Sequence, residues 1–148
     1  MIVKPDNKTA FIIDFGFAII KNDFSLDIPG IVLGSPFYIA PEIWIEEKHS
    51  VQSDIYALGI SLYEKITGRV PFNYNSAQEI AIAHLREPII DTHELNKDIP
   101  AYLAKLIKKS LEKDPSRRFK SVSEFASELL KSMTHKSWTE TFFPYFKK

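Results

Sequence analysis

Ser53-Asp-Ile-Tyr-Ala-Leu-Gly-Ile-Ser-Leu-Tyr-Glu-Lys-Ile66 decides the fold. From Ile55 to Ile66 apolar residues fall on nearly every side of a helical wheel, and a helix of that kind lies inside a domain. The rest of the chain should therefore wrap around it. Upstream, Pro41 can open a short helix running to about Glu46, because a first-turn residue needs no amide donor. Downstream, Ser76-Ala-Gln-Glu79 has the spacing of a capping box and opens a helix through Ile80, Ala83 and His84 that ends before Pro88. Another helix starts near Pro100, with Leu103, Leu106, Ile107 and Leu111 on one face. Ser121-Val-Ser-Glu124 repeats the capping-box spacing, and Val122, Phe125, Ala126, Leu129 and Leu130 follow at helical intervals. At the other end, Ile2-Val3 and Ala10 to Ile13 flank the polar Pro5-Asp6-Asn7-Lys8 and predict a hairpin. The fold class is mainly α with a short N-terminal β-hairpin.

Composition narrows the function. The chain has 148 residues with 45% hydrophobic and 13% aromatic content, enough for one domain with a sizeable core. Nineteen Lys plus Arg balance nineteen Asp plus Glu, so no global field draws in nucleic acid or an anionic membrane surface. The absence of Cys excludes disulfides, thiolate metal sites and thiol nucleophiles. No apolar stretch is long enough to span a bilayer, and the N-terminus lacks the layout of a signal peptide. The simplest expectation is a cytoplasmic protein. His49, His84, His93 and His135 have no metal-ligand spacing and read as surface or packing residues. The tail, residues 133–148, holds Trp138, Phe142, Phe143, Tyr145 and Phe146, which either pack back on the domain or form an exposed patch.

Two loops carry the candidate chemistry. Ile12-Ile13-Asp14-Phe15-Gly16 puts a carboxylate at the end of an apolar strand, where a hard oxygen can hold Mg2+ against nucleotide phosphates. Read alone, the tripeptide is equally a strand end followed by a glycine turn. Residues 14–33 show no helical or strand period and predict a long surface loop. Next comes Gly34-Ser35-Pro36-Phe37-Tyr38-Ile39-Ala40-Pro41-Glu42. It is followed by Ser53-Asp54-Ile55-Tyr56-Ala57-Leu58-Gly59 with Leu62-Tyr63-Glu64, then by Gly68-Arg69-Val70-Pro71-Phe72. Last is Lys113-Asp114-Pro115-Ser116-Arg117-Arg118-Phe119.

In this order the segments resemble the C-terminal lobe of eukaryotic-type (Hanks-type) Ser/Thr protein kinases, with a pattern near that of bacterial members. The resemblance implies a partial catalytic domain over residues 1–132, a separate tail over 133–148, and phosphoryl transfer from ATP to protein Ser or Thr hydroxyls. Asp14 would be the Mg2+ ligand, Phe15 a packing residue that distinguishes active from inactive states, and Gly16 the turn glycine beside it. Ser35 would lie beside the substrate hydroxyl and favour Ser or Thr over Tyr. Glu42 and Arg118 would form a buried structural ion pair. Asp54 would anchor the backbone of the catalytic loop by accepting its amide protons; the alternative is a simple helix cap. Ser25 is the only hydroxyl between Phe17 and Leu33 and hence the candidate regulatory position, although Ile31 stands where many relatives carry a phosphorylated Thr.

An intact kinase also needs a Gly-rich loop, a strand Lys paired with a helix Glu, and a His-Arg-Asp base with a following Asn. None is present in these residues. The expectation is therefore that this chain begins just after the catalytic loop, is inactive alone, and binds neither ATP nor Mg2+ tightly. Its partners would be a protein substrate and a missing N-terminal lobe, in the parent protein or on a separate chain. The other reading is a non-catalytic, kinase-derived module that binds a protein.

Overall fold

The computed structural model describes Ile2–Val3, Ala10–Phe11, residues 35–46 and residues 49–132. The architecture is mainly helical. Its centre is α2, Val51–Thr67, which buries Ile55, Tyr56, Ile60, Tyr63 and Ile66. Around it lie α1 (Pro41–Glu46), α3 (Ala77–Arg86), α4 (Thr92–Leu95), α5 (Ala101–Ser110) and α6 (Val122–Ser132). Short 3-10 turns at Pro36–Tyr38 and Pro115–Arg117 complete the described elements. Ile2–Val3 (β1) and Ala10–Phe11 (β2) pair antiparallel, Ile2 opposite Phe11 and Val3 opposite Ala10. The turn expected between them, the loop of residues 14–33 and the aromatic tail lie outside the described residues.

α2 begins four residues earlier than its apolar pattern suggests. Ser50 accepts from the Ser53 amide, and the Ser53 hydroxyl accepts in return from the Ser50 amide at 3.0 Å. This capping box uses Ser where Glu or Gln is usual, so its polar first turn carries no hydrophobic signal. The helix stops at Gly68, whose φ of +77° is the left-handed cap glycine adopts readily. Nor is α2 apolar-buried on every side, for Leu58 remains 40% exposed. α3 has the full capping box read from Ser76 and Glu79. At α6 the box is altered: Ser121 accepts from the Glu124 amide, but the Glu124 carboxylate reaches back to the Lys120 amide at 2.7 Å. The single-turn α4, capped by Asp91 on the His93 amide, has too few residues to show a period.

The core forms where α5 and α6 pack on α2. Ile99, Leu103 and Ile107 are fully or almost fully buried against Ile55 and Ile60, each contributing about 1.5–3 kcal/mol relative to exposure. The helices touch at Gly59. A Cβ there would sit 2.8 Å from Ser110 Oγ and 2.9 Å from Leu111 Cδ2. Ser110 is itself buried and donates to the Leu106 and Ile107 carbonyls, so it cannot easily turn away. Gly59→Ala is therefore expected to destabilise the fold by about 1–3 kcal/mol through overpacking, despite the roughly 1 kcal/mol by which alanine outranks glycine in a helix. A urea titration of both proteins reads the shift in midpoint.

Candidate functional site

The site is built on Ser35–Glu42, a stretch that runs through the 3-10 turn into α1, the turn packing on α2 and α3. Ser35 is exposed and extended, and its side chain makes no capping hydrogen bond to the turn that follows. Pro36 starts that 3-10 turn because its fixed φ suits a first position. Tyr38 ends it and points inward, donating to Glu64 Oε2 on α2 at 2.7 Å. That bond, with partial burial, raises the Tyr38 pKa. Ile39 and Ala40 are buried behind the turn, and Pro41 opens α1.

The far end of the segment is held by charge. Arg118, whose side chain is fully buried, makes a two-pronged pair with Glu42 at 2.7 and 2.8 Å. Its other N–H groups donate to the carbonyls of Glu112, Gln52 and Lys113. All five guanidinium donors are thus used, which is what makes a buried cation tolerable. The turn carrying Arg118 is set by Asp114, which caps the Ser116 amide at 2.9 Å. Hydrogen bonding from the Ser116 side chain and then from its amide holds the Asp114 pKa below the ordinary carboxylate value. The ion pair joins residues 76 positions apart, tying α1 to the turn before α6.

Asp54 lies in the first turn of α2 and is exposed. Its cap reading is corrected, since Ser50 is the cap; the carboxylate is instead favoured there by the helix dipole. Partial desolvation raises its pKa, opposed by the charge of His49. Asp14, Phe15, Gly16 and Ser25 lie outside the described residues. Of the residues singled out from the sequence, then, the structure brings Glu42 and Arg118 together and places Ser35 on the same segment as Glu42. Tyr38 and Glu64 were not singled out, and His84 was read only as a surface or packing residue. Tyr38 and Glu64 stood inside quoted motifs but 26 residues apart, and no spacing rule links a turn tyrosine to a helix glutamate at that distance.

Among the described residues no group of three His, Asp or Glu could hold a metal ion. They therefore do not by themselves fit Mg2+, and no step is assigned through it here. What they supply is an exposed hydroxyl on a turn braced from behind by a tyrosine and a buried ion pair.

A family model described as the protein kinase domain matches residues 1–138, and the chain belongs to that family. Relatives it resembles include bacterial serine/threonine-protein kinases. It is 35% identical over 128 residues to a probable serine/threonine-protein kinase of Clostridium acetobutylicum, covering 86% of this chain and 20% of the relative. To one of Lactococcus lactis it is 36% identical over 136 residues, covering 88% of this chain and 22% of the relative. To a serine/threonine-protein kinase of Bacillus subtilis it is 34% identical over 116 residues, covering 78% and 18%. The chain spans about one fifth of the length of these relatives. Among the described residues no helix is long and apolar enough to cross a membrane.

Proposed function

We propose that residues 1–132 are the substrate-holding helical lobe of a serine/threonine-protein kinase, which in its whole form transfers the γ-phosphoryl group of ATP to Ser or Thr hydroxyls of proteins. The observation that carries this reading is the braced turn Ser35–Tyr38, fixed by Tyr38 on Glu64 and by Glu42 on Arg118. Positioning is most of what a kinase contributes to phosphoryl transfer, so a substrate-facing turn must be rigid. Ser35 would meet the acceptor hydroxyl, and Asp54 would hold the catalytic-loop backbone. Asp14 would ligate Mg2+ between nucleotide phosphates, with Phe15 and Gly16 setting its approach, and Ser25 would be the regulatory position.

The 148 residues contain no Gly-rich phosphate loop and no His-Arg-Asp. In our reading this chain alone neither transfers phosphate nor binds ATP and Mg2+ tightly, and an N-terminal lobe must complete it. The test incubates the longest natural protein carrying this chain, and separately the 148-residue chain, with labelled ATP, Mg2+ and a mixed protein substrate. Phosphoserine and phosphothreonine from the long form and nothing from the short one are expected. Phosphotyrosine as the main product, or no transfer by the long form, would overturn the reading.

A further inference from the structure

α3 carries a single polar side chain in the interior. His84 is fully buried, with its ring edge-on to Tyr56 at 5.7 Å and to Phe72 at 5.1 Å between centroids. Its Nδ1 lies 2.8 Å from the Tyr56 hydroxyl. Burial pushes the phenol pKa up and, with the nearby Lys113 charge, the imidazole pKa down to about 4. Both groups are therefore neutral near pH 7, and a neutral phenol beside a neutral imidazole donates to its bare nitrogen. In that pairing the ring proton lies on Nε2, the tautomer in which the ring can donate toward the Phe37 backbone.

Nε2 is buried and closes no hydrogen bond. The backbone of Phe37 acts on the ring as a hydrogen-bonding group without reaching full bonding geometry. A buried donor left short of an acceptor is costly, which favours any movement that closes the gap. Phe37 is the middle residue of the Pro36–Tyr38 turn, and α3 packs against that turn.

The rest of the ring's surroundings are fixed. The His84 carbonyl accepts from Lys113 Nζ at 2.7 Å, and that ammonium lies 4.7 Å over the Phe72 ring. Lys113 in turn offers its carbonyl to Arg118 at 3.2 Å, while the Arg118 guanidinium lies 4.7 Å over the Tyr56 ring. Tyr56, His84, Lys113 and Arg118 thus form a closed circuit through α2, α3 and the turn before α6. Of that circuit, His84 is the member whose ring has the Phe37 backbone as a hydrogen-bonding neighbour.

We infer that His84 is a positioning residue for the protein substrate: its Nε2–H, oriented by Tyr56, fixes the backbone of Phe37 and so the turn that receives the acceptor. This rests on the kinase reading above. Two substitutions separate the nitrogens, because an Asn amide overlays Nδ1 and a Gln amide overlays Nε2. If Nε2 is the acting atom, His84→Asn loosens the turn and His84→Gln does not. Amide hydrogen exchange of residues 35–39 in the 148-residue chain should rise at least tenfold in His84→Asn and stay within threefold of wild type in His84→Gln. In the longest natural protein, His84→Asn should raise the KM for protein substrate about tenfold with kcat and the KM for ATP unchanged. Equal exchange in both variants, or greater loosening in His84→Gln, would overturn the inference, since that pattern belongs to packing against Tyr56. The exchange measurement needs no kinase activity, so a protein that transfers no phosphate would refute the functional reading while leaving the His84 result to stand or fall by itself.

Discussion

Arg118→Ala is expected to cost the fold about 3–5 kcal/mol, a large fraction of the about 5–15 kcal/mol that keeps an ordinary domain folded. The substitution removes both prongs of the pair with Glu42 and leaves that carboxylate, only 12% exposed, without its cation. It also strips donors from the Glu112, Gln52 and Lys113 carbonyls and the cation from above the Tyr56 ring. Arg118→Lys should recover less than half of the loss, because an ammonium has three donors on one point and cannot reproduce a planar fork. Urea titration followed by far-ultraviolet circular dichroism measures both variants. A loss below about 1 kcal/mol for the alanine variant would show that water replaces the guanidinium, and the pair would then not be what braces α1.

Acid should weaken the protein as the pH falls below 6.5. His84 is held neutral in the fold, with its pKa lowered from 6.5 to about 4, chiefly by burial and then by the Lys113 charge. Below pH 6.5 the unfolded chain takes up a proton that the folded chain refuses, so the unfolded state binds more protons and stability falls as pH falls. The contribution is fully present above pH 6.5, is lost progressively toward pH 4, and amounts to roughly 2 kcal/mol by pH 5. The groups facing the ring are the Tyr56 hydroxyl and the Lys113 ammonium. Lys113 itself is lowered to about 8, so it stays charged across this window. Glu124 and Asp114, whose pKa values are lowered, add their own loss only at more acid pH, while raised Asp54 works the other way. Denaturation midpoints at pH 7.5 and 5 should separate clearly in wild type and much less in His84→Gln. Equal pH dependence in the two proteins would mean that the buried imidazole is not the acid-sensitive group.

The sequence displayed those features of the fold that repeat at helical intervals. α2, α3, α5 and α6 are long enough for apolar residues to mark a face, and Ser76 with Glu79 marks the start of α3. Features that depend on one contact did not show. The reciprocal Ser50 and Ser53 cap starts α2 before any apolar residue of the pattern, and α4 is a single turn. His84 read as a surface or packing residue because burial and the Tyr56 bond, 28 positions away, exist only once α3 docks on α2. In the site, Glu42 and Arg118 were legible through family resemblance rather than spacing, as nothing local relates residues 76 apart. Tyr38 and Glu64 were not, because each has an ordinary role available in its own segment.

The measurement closest to the central claim is phosphate transfer by the longest natural protein carrying this chain, compared with its Asp14→Asn variant at matched folded concentration. Removing one carboxylate from Mg2+ coordination should abolish transfer to Ser and Thr, at least a hundredfold, while the unfolding free energy read by urea titration stays within about 0.5 kcal/mol of wild type. Transfer that survives Asp14→Asn, or a wild-type protein that never phosphorylates a protein hydroxyl, would contradict the reading of this chain as the helical lobe of a working serine/threonine-protein kinase.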